Sequence, residues 1–564
     1  MALERIADRV VETDVLVMGG GVGGCPAAAK AAEKGLNVTL VEKAKTERSG
    51  HAGAGIDTVM DFPRDGVTLP QYVKYWQERH QFLVGEGRAV NPNIGYRLGA
   101  TAFWSLEEME KLGLPMKWDD GNYHWMRHLW FHHAKIFLGV HWFDIKPIMA
   151  KIVRKKGVNV LDRTMVVDLL THKDKVTGAT AVNTRTGEFF VIKAKAVIIA
   201  TGAFARSYEP ETPQFYKYKM RYHGAPGAIS GDGFAAGYRA GAELVNMDIG
   251  NCWDYRLRDD IIMPYGTLAH GDGIPGLVLA WTGQEIPYPN FKVYQEVERR
   301  GLDPVYRSIE NFSEDYHKRA EVAIAEERLI SLKLAEDRGF DPKTHRYELM
   351  VNKPHNFAIL SGLYTDEYFR TSLKGLYAIG DACSGVASCG PAVMSGLLTA
   401  DSMPDYVNEA GEPVTDEAQV QSQKQTALAP LTVKDGVEPM ELECCIRYIC
   451  ERYVGMYKSE GKLREGLRRL GTLRGEFLPK LMAKNPHYLM RCLEVRNIMD
   501  LAELHILACL ERKESRGNYV RTDYPQRGPS RDNMLTFQRL AKGKAVLEIR
   551  EVPDLKQEYA KEGK

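Results

Sequence analysis

The 564-residue sequence has few of the features that mark membrane, secreted or nucleic-acid-binding proteins. It contains no apolar run of the roughly 18 residues that a membrane-spanning helix needs. Its N-terminus, MALERIADRVVETD, is too polar for a secretory signal. The formal net charge of +1 gives no reason to expect nucleic acid or an anionic membrane as a partner. We therefore expect a cytoplasmic protein that binds no nucleic acid and has no direct membrane insertion.

The cysteines of the chain show no metal-binding pattern. There are nine, but none forms C-x-x-C and none has the spacing of a zinc or iron–sulfur site. No metal site is predicted. If the protein passes electrons through an iron–sulfur cluster, another polypeptide must carry that cluster.

The stretch 10–43 organises the N-terminal part of the chain. An apolar strand leads to Gly19, Gly21 and Gly24 in G-x-G-x-x-G spacing, and a small-residue helix and a second strand follow, ending at Glu42. Glycines at these places allow a tight turn, a close approach of backbone to a diphosphate, and close helix–sheet packing. The acid is placed to accept a ribose hydroxyl. The stretch predicts a dinucleotide site, and Glu42 favours FAD or NAD over NADP.

Three later segments also have small residues at the end of a strand or the start of a helix, and the last of them returns to the strand–turn–helix character. Small residues at their turns would admit a ligand, and the helix expected over 390–398 would point its N-terminus towards it. The segments are KAKAVIIATG with Thr201 and Gly202, SGDGF with Asp232, and LYAIGDA with Asp381.

Hydrophobic periodicity places the remaining elements. Residues 245–350 have little strict periodicity, which indicates an inserted second domain. The predicted helices cover 69–79, 93–111, 145–155, 234–240, 310–338, 442–457, 462–482 and 488–513, and the predicted strands cover 158–161, 166–170, 176–183, 188–194, 196–199 and 376–379.

With these motifs in place, the chain resembles the FAD-dependent flavoprotein subunits of the fumarate reductase, succinate dehydrogenase and adenylylsulfate reductase (alpha subunit) superfamily. The resemblance extends over nearly the whole length. It rests on MGGGVGGCPAA, VEKAKTERSGHAGAG, AVIIATG, SGDGFAAGYRAGAEL, HNFAILSGLYTD, GLYAIGDACSG and ESRGNYVRTDYP, in that order.

The resemblance implies an α/β fold with an α+β capping insertion. A Rossmann-like FAD-binding domain would receive an inserted capping domain and be followed by a C-terminal helical domain. The implied boundaries are 1–244 and 353–405 for the FAD-binding domain, 245–352 for the capping (substrate) domain, 406–438 for a linker, 439–530 for the helical domain and 531–564 for a C-terminal tail.

By the same resemblance, FAD binds in an extended form along the first domain. In relatives with covalent flavin a histidine directly follows an Arg-Ser pair, whereas here Gly50 stands there and His51 comes one place later, so we expect noncovalent FAD. The residues implied in FAD binding are Gly19, Gly21, Gly24, Glu42, Lys43, Ser49, Gly50, His51, Gly53, Thr201, Gly202, Asp232, Asp381 and Ser395.

Hydride transfer needs a cation to polarise the substrate and an acid within reach. His355 stands where the family has a substrate-binding histidine, and Arg256 and Arg258 lie where an arginine of the capping domain would enter. The alternatives are a core histidine bonded to backbone, and surface ion pairs with the aspartates that follow the two arginines. The R-G-E-G-G stretch of fumarate reduction is absent from 245–300, so simple fumarate or succinate chemistry is not expected.

Residues 123–143 are rich in tryptophan, phenylalanine and histidine. Imidazoles are common metal ligands, but no carboxylate or cysteine at ligand spacing accompanies these. We expect a packed aromatic wall beside the flavin, or an interface, in preference to a metal site.

These observations predict an FAD-dependent oxidoreductase subunit that transfers a hydride or an electron pair between flavin and a small polarised or anionic substrate. It would exchange electrons with a ferredoxin-like iron–sulfur partner, which carries the 4Fe–4S clusters, within a hetero-oligomer. Two alternatives remain open. One is a fumarate-type enoate reductase that uses a free electron carrier, and the other is a flavin electron-relay subunit of a larger redox complex with no substrate of its own.

Overall fold

The structure is a computed structural model. It describes residues 3–56, 58–59, 62–78, 89–126, 134–142, 144–208, 227–249, 251–252, 256–257, 277–286, 297, 299–302, 304–308, 310, 314, 317–318, 336–341, 344–350, 355–356, 360–386, 388–455, 457–516 and 519–561.

The described helices are α1 (Leu3–Ile6), α2 (Gly24–Glu33), α3 (Leu69–Glu78), α4 (Pro92–Ala100), α5 (Ala102–Leu112), α6 (Ile145–Lys155), α7 (Asp232–Ala240), α8 (Cys389–Asp401), α9 (Met403–Glu409), α10 (Glu417–Leu428), α11 (Pro439–Ile449), α12 (Glu460–Thr472), α13 (Pro486–Glu511) and α14 (Gln557–Lys561). Turns of π-helix, Cys450–Val454 and Leu473–Phe477, extend α11 and α12.

The described strands are β1 (Arg9–Met18), β2 (Val38–Glu42), β3 (Thr58–Val59), β4 (His124–Met126), β5 (Phe137–Gly139), β6 (Asn159–Asp162), β7 (Thr164–His172), β8 (Lys175–Asn183), β9 (Phe189–Ile199), β10 (Leu244–Val245), β11 (Asn251–Cys252), β12 (Arg256–Leu257), β13 (Leu277–Ala280), β14 (Glu285–Ile286), β15 (Val305–Ser308), β16 (Tyr347–Met350), β17 (His355–Asn356), β18 (Gly362–Leu363), β19 (Leu376–Ala378), β20 (Tyr457–Lys458), β21 (Val520–Arg521), β22 (Met534–Ala541) and β23 (Lys544–Glu551).

A seven-stranded sheet forms the centre of the N-terminal half, in the order β6-β2-β1-β9-β8-β7, with β19 also paired to β9. Strands β6, β2, β1, β9 and β19 run parallel, whereas β7, β8 and β9 form an antiparallel meander. β8 pairs with the first half of β9, and β19 pairs with its second half on the same side. The carboxyl ends of β1, β2, β9 and β19 therefore meet at one edge, which is where open α/β sheets bind ligands.

Small residues let two helices approach this sheet closely. In α2 the alanines Ala27, Ala28, Ala29 and Ala31 are fully buried. α8 lies against α2, and a Cβ added at Gly396 of α8 would come within 2.4 Å of the Gly23 carbonyl oxygen. The glycine turn after β1 and the N-terminus of α8 are thereby held next to each other.

Smaller sheets surround the central one. A five-stranded antiparallel sheet, in the order β12-β16-β15-β13-β14, lies within the segment predicted to cap the cofactor. A four-stranded sheet, β18-β10-β22-β23, joins residues near the end of the chain to the first domain. Within the described part of the chain, no helix combines the length and low polarity that a membrane crossing requires.

The predicted α/β fold is confirmed, but several elements differ from their predictions. The helix expected over 93–111 is two helices, because Thr101 leaves helical geometry (φ −109°, ψ 10°) and its hydroxyl donates to the Arg97 carbonyl oxygen over 2.7 Å. The two strands expected over 188–194 and 196–199 are one strand, β9. The helix expected over 310–338 falls mostly outside the described residues.

Two segments that the sequence assigned to connections contain regular structure. The predicted linker, 406–438, includes α10, which reaches the central sheet where Gln423 Nε2 donates 2.9 Å to the Leu169 carbonyl oxygen. The predicted tail, 531–564, includes the hairpin of β22 and β23, because β22 gains a partner in β10 far away in sequence. The domain boundaries themselves remain predictions.

Candidate functional site

A cleft opens at the carboxyl edge of the central sheet, with about 1090 Å³ of space that includes its opening to solvent. The turns after β1, β2, β9 and β19 meet there with the N-terminus of α8. Among the residues that the sequence predicted for FAD, those lining the cleft are Gly19, Gly21, Glu42, Lys43, Gly50, His51, Thr201, Gly202, Asp232 and Asp381.

The three glycines of the turn after β1 have different surroundings. At Gly19, where φ is +105°, an added Cβ would lie 2.5 Å from the Ala200 carbonyl oxygen, and at Gly24 it would lie 1.9 Å from the Gly19 carbonyl oxygen. At Gly21 the nearest atom would be 4.0 Å away, so the missing side chain leaves open space in the cleft. Protein packing accounts for glycine at the first and third positions. The space at Gly21 fits a diphosphate.

Glu42 is fixed by backbone groups on both of its oxygens. Gly20 N–H donates to Oε2 over 2.8 Å, and Ala44 N–H donates to Oε1 over 2.7 Å. A carboxylate has about four acceptor positions, so Glu42 keeps capacity for a ribose hydroxyl at the cleft wall. The carboxylate thus links the glycine turn to the end of β2 and fits its predicted role.

The remaining residues predicted for FAD lie behind the cleft. Ser49 Oγ donates to the Gly20 carbonyl oxygen over 2.9 Å, and Ser395 Oγ accepts from Gly380 N–H over 3.1 Å. A Cβ at Gly53 would lie 2.5 Å from the Arg48 carbonyl oxygen. Like Gly24, these residues support the turns that line the cleft. Whether the lining residues contact FAD stays a prediction.

One end of the cleft brings together Gly50, His51, Asp381 and the start of α8. His51 Nδ1 lies 3.7 Å from Asp381 Oδ2, and burial lowers the pKa of His51 to about 4, so the imidazole is neutral at pH 7. The Asp381 carboxylate also accepts from Ser388 N–H over 3.3 Å, directly before α8 begins. Burial raises the pKa of the Cys389 thiol well above its usual value. A neutral imidazole and a neutral thiol therefore border the N-terminus of this helix.

The other end contains a buried network of charges. Lys43 Nζ donates to Ser230 Oγ over 2.8 Å, to Asp232 Oδ2 over 2.7 Å and to Glu494 Oε1 over 2.7 Å. Asn497 Nδ2 donates to Asp232 Oδ1 over 2.8 Å. Glu494 and Asn497 lie one turn apart on α13, so the C-terminal part of the chain holds two side chains of the cleft wall.

This network keeps Lys43 and Glu494 charged despite burial. Burial opposes ionisation of Glu494, but Lys43, Arg206 and Arg491 outweigh it and lower its pKa to about 2. Burial opposes protonation of Lys43 as well, yet the carboxylates of Asp232 and Glu494 raise the pKa of Lys43. Opposite charges at hydrogen-bond distance therefore outweigh the loss of water.

The structure describes the predicted catalytic residues only in part. Arg258 lies outside the described residues, and so do the side chains of His355 and Arg256. The backbone pairs His355 with Cys252 across β17 and β11, and Arg256 with Met350 across β12 and β16. All three residues therefore stay predictions.

The aromatic segment 123–143 is described in part, and its described side chains do not line the cleft. The Trp118 ring stacks on His124 with 4.1 Å between centroids and contacts His141 at 3.8 Å. Trp142 is fully buried and donates through Nε1 to the Pro115 carbonyl oxygen over 2.7 Å. These aromatics pack against each other, and residues 127–133 lie outside the described part of the chain, so the aromatic wall or interface stays a prediction.

Sequence reasoning missed part of the lining. The start of β7 and the segment before α7 reach the cleft through backbone and apolar side chains that carry no motif. These residues are Thr164, Met165, Val166, Ala228 and Ile229. The positive φ of Arg163 (58°), which turns the chain into β7, was not readable from a local pattern.

Two family models match separate parts of the chain. An FAD binding domain matches residues 14–251, and a fumarate reductase flavoprotein C-terminal domain matches residues 446–558. Most residues that line the cleft lie in the first of these regions, and those between Ile379 and Ala392 lie in the segment between the two. The fold, the cleft and the matched domains together define an FAD-dependent oxidoreductase.

Comparisons over the whole length agree. The chain is 23% identical over 567 residues to the fumarate reductase (CoM/CoB) subunit of Methanothermobacter marburgensis, with 92% of this chain and 95% of that protein covered. It is 24% identical over 565 residues to L-aspartate oxidase of Streptomyces coelicolor, with 92% and 90% covered. Adenylylsulfate reductase from Archaeoglobus fulgidus has the same fold, with a TM-score of 0.80 at 23% identity over 97% of this chain and 96% of that one.

The chain thus carries an FAD binding domain and a fumarate reductase flavoprotein C-terminal domain, and its relatives include a fumarate reductase, which confirms the resemblance that the sequence motifs indicated.

Proposed function

We propose that the chain is the flavoprotein subunit of an oxidoreductase complex. It holds FAD noncovalently, exchanges a hydride or an electron pair with a small polarised or anionic substrate, and passes electrons to or from an iron–sulfur partner. When bound, FAD supplies two-electron chemistry at its ring and one-electron exchange with the partner. The observation that carries the proposal is the open cleft that joins the Gly21 turn to the N-terminus of α8.

The chain contributes electrostatics at the two ends of this cleft. The glycine turn presents backbone to the diphosphate, and Glu42 accepts a ribose hydroxyl at the wall. At the other end, the positive end of α8 faces the cleft from a helix of 13 residues and favours negative charge on the ring. His51 stays neutral beside it, so it adds no charge that would vary between pH 6 and 8.

Noncovalent attachment is supported by the position of His51. The residue directly after the Arg-Ser pair is Gly50, with φ at +77°, and His51 begins the following 3₁₀ turn with Nδ1 towards Asp381. The contact with Asp381 occupies the Nδ1 edge of the imidazole ring. Acid precipitation of the holoprotein should therefore leave FAD in the supernatant.

The substrate side of the proposal rests on the segment between β10 and β18. It carries the five-stranded sheet and the two backbone pairs that contain His355 and Arg256. We propose that His355, Arg256 and Arg258 bind and protonate an anionic substrate. The partner is proposed because the sequence has no cysteine spacing for a cluster, while electrons must leave the ring.

Anaerobic reoxidation of the reduced holoprotein tests the function. The flavin is reduced with titanium citrate, excess reductant is removed, and return of flavin absorbance is followed after adding oxidised ferredoxin, fumarate, adenylylsulfate or oxygen. We expect rapid reoxidation by ferredoxin and by a small anion, with the anion reaction lost in Arg256→Ala or His355→Ala. Reoxidation by oxygen alone would instead indicate an oxidase without an iron–sulfur partner.

A further inference from the structure

Lys146 is a buried lysine behind the glycine turn, and the dinucleotide motif does not include it. Lys146 lies in the first turn of α6 and is only 1% exposed to solvent. Its ammonium donates to the Gly20 carbonyl oxygen and lies 3.5 Å from Cys25 Sγ. The described residues place no carboxylate in an ion pair with it. Burying an ammonium is costly unless charge or hydrogen bonds compensate it.

The position on α6 makes this lysine more unusual. The first turn of a helix is the positive end of its dipole, where a cation is disfavoured. Lys146 nevertheless points from that turn to the back of the dinucleotide turn. A negative group bound on the other side of the turn would compensate both the burial and the dipole.

The Gly20 carbonyl oxygen receives three donors from behind the cleft. Besides Lys146, Ser49 Oγ donates over 2.9 Å and Cys25 Sγ over 3.1 Å. In a trans peptide the C=O and the following N–H point in opposite directions. Holding the Gly20 carbonyl oxygen inwards therefore turns the N–H of Gly21 the other way, and Gly21 lines the cleft. A cation on the carbonyl oxygen also strengthens that N–H as a donor.

We infer that Lys146 is a positioning residue for the diphosphate of FAD. It fixes the orientation of the Gly20–Gly21 peptide and supplies a buried positive charge behind the turn. This inference rests on the proposed placement of FAD in the cleft. It assigns to α6, outside the glycine motif, part of the affinity for the diphosphate.

Competition binding to the apoprotein tests the inference. FAD is titrated by quenching of its fluorescence, and ADP and adenosine are used as competitors because they differ only in the diphosphate. Lys146→Met should weaken the binding of FAD and of ADP by roughly tenfold or more. The affinity for adenosine should stay within about twofold of the wild-type value. Lys146→Gln, which keeps a donor without the charge, should show the same selective loss and serves if Lys146→Met does not fold.

Lys30→Met is the matched control. Lys30 is also a buried lysine, but it lies in the C-terminal half of α2 and pairs with Glu108. The Lys30→Met variant should bind FAD, ADP and adenosine with affinities within about twofold of those of the wild type. The inference is overturned if the Lys146 variants bind ADP like the wild type, or if they lose ADP and adenosine by the same factor. A wild-type apoprotein that binds no FAD would overturn the proposed function itself.

Discussion

Gly19, Gly21 and Gly24 lie within one turn, yet an added side chain would meet different atoms at each. At Gly24 it would collide with backbone, and at Gly21 it would enter the open cleft. Protein packing therefore requires glycine at the first and third positions. At the second position the absence of a side chain leaves space for a ligand, so substitutions can separate the packing role from the binding role.

Gly21→Ala should leave the free energy of unfolding of the apoprotein within about 1 kcal/mol, because the new methyl group meets no protein atom. It should weaken FAD binding by about tenfold or more, because the methyl group occupies diphosphate space. Gly24→Ala is the comparison, since it should lower the stability of the apoprotein by about 1–3 kcal/mol through overpacking. Urea unfolding and FAD titration of both variants measure this, and equal FAD affinity in Gly21→Ala and wild type would contradict the account.

His505 provides a pH-dependent test in a different place. Burial lowers its pKa to about 4, while the reference value is 6.5. The neutral ring contacts the Met247 carbonyl oxygen over 2.5 Å and the Tyr208 hydroxyl over 3.2 Å. As the pH falls, the unfolded chain binds this proton before the folded protein does. The contribution of His505 to the free energy of unfolding is therefore complete above pH 6.5 and is lost as the pH falls towards 4.

We expect His505 alone to account for a loss of about 2 kcal/mol in the free energy of unfolding between pH 7.5 and pH 5. His505→Gln should reduce the pH dependence by that amount, although its stability at pH 7.5 is lower. Urea denaturation at the two pH values gives the comparison. An unchanged pH dependence in the variant would contradict a lowered pKa of His505 in the folded state.

At the scale of elements, α13 connects the C-terminal region to the cofactor cleft. This helix of 26 residues places Glu494 and Asn497 against Lys43 and Asp232 of the cleft wall. The chain just beyond its end carries Arg512 into a buried ion pair with Asp248. Arg512 also donates to Glu514 over 2.6 Å. These contacts join the segment after β10 to the end of the helical region.

Arg512→Met should lower the free energy of unfolding by about 3–5 kcal/mol, because it leaves the buried Asp248 carboxylate without its cation. Arg464→Met is the control, since Arg464 is exposed and pairs with Glu460 over 2.7 Å on the surface of α12. That change should cost less than about 1 kcal/mol. Thermal or urea unfolding of both variants with FAD present measures the difference, and similar costs would contradict a role for the buried pair.

Elements whose signals are local were predictable from the sequence. The β1–α2–β2 unit follows from glycine spacing and apolar runs, and α6 was found at its observed bounds. The hairpin of β22 and β23 was missed because its partner β10 is nearly 300 residues away. α10 was read as a linker because its sequence is polar, although it packs beside β7 and β8 through glutamines.

The same distinction holds for the candidate site. The glycine turn and Glu42 carry a motif, whereas Glu494 reaches Lys43 across 451 positions and has none. The contact of Lys146 with the glycine turn likewise could not be predicted from the sequence, because it forms only where α6 packs behind that turn. Motifs therefore predicted the cofactor, but the groups that orient the motif residues required the three-dimensional fold.

At the scale of the whole molecule, distant parts of the chain build one cleft. The FAD binding domain over 14–251 supplies most of the lining turns, and residues 379–392 supply the turn after β19 and the start of α8. The region over 446–558 supplies the helix that supports Lys43 and Asp232. Ligand that binds only the folded state adds to stability in proportion to the logarithm of its concentration over Kd. FAD should therefore stabilise the complete chain, including its C-terminal helices.

The central claim is that the complete chain holds FAD in this cleft without a covalent bond. The most direct measurement is the ratio of FAD released by acid to protein, after reconstitution with excess FAD and removal of the unbound cofactor. The account predicts one FAD per chain, all of it in the acid supernatant. A chain that retains no flavin, or flavin that stays with the precipitated protein, would contradict it.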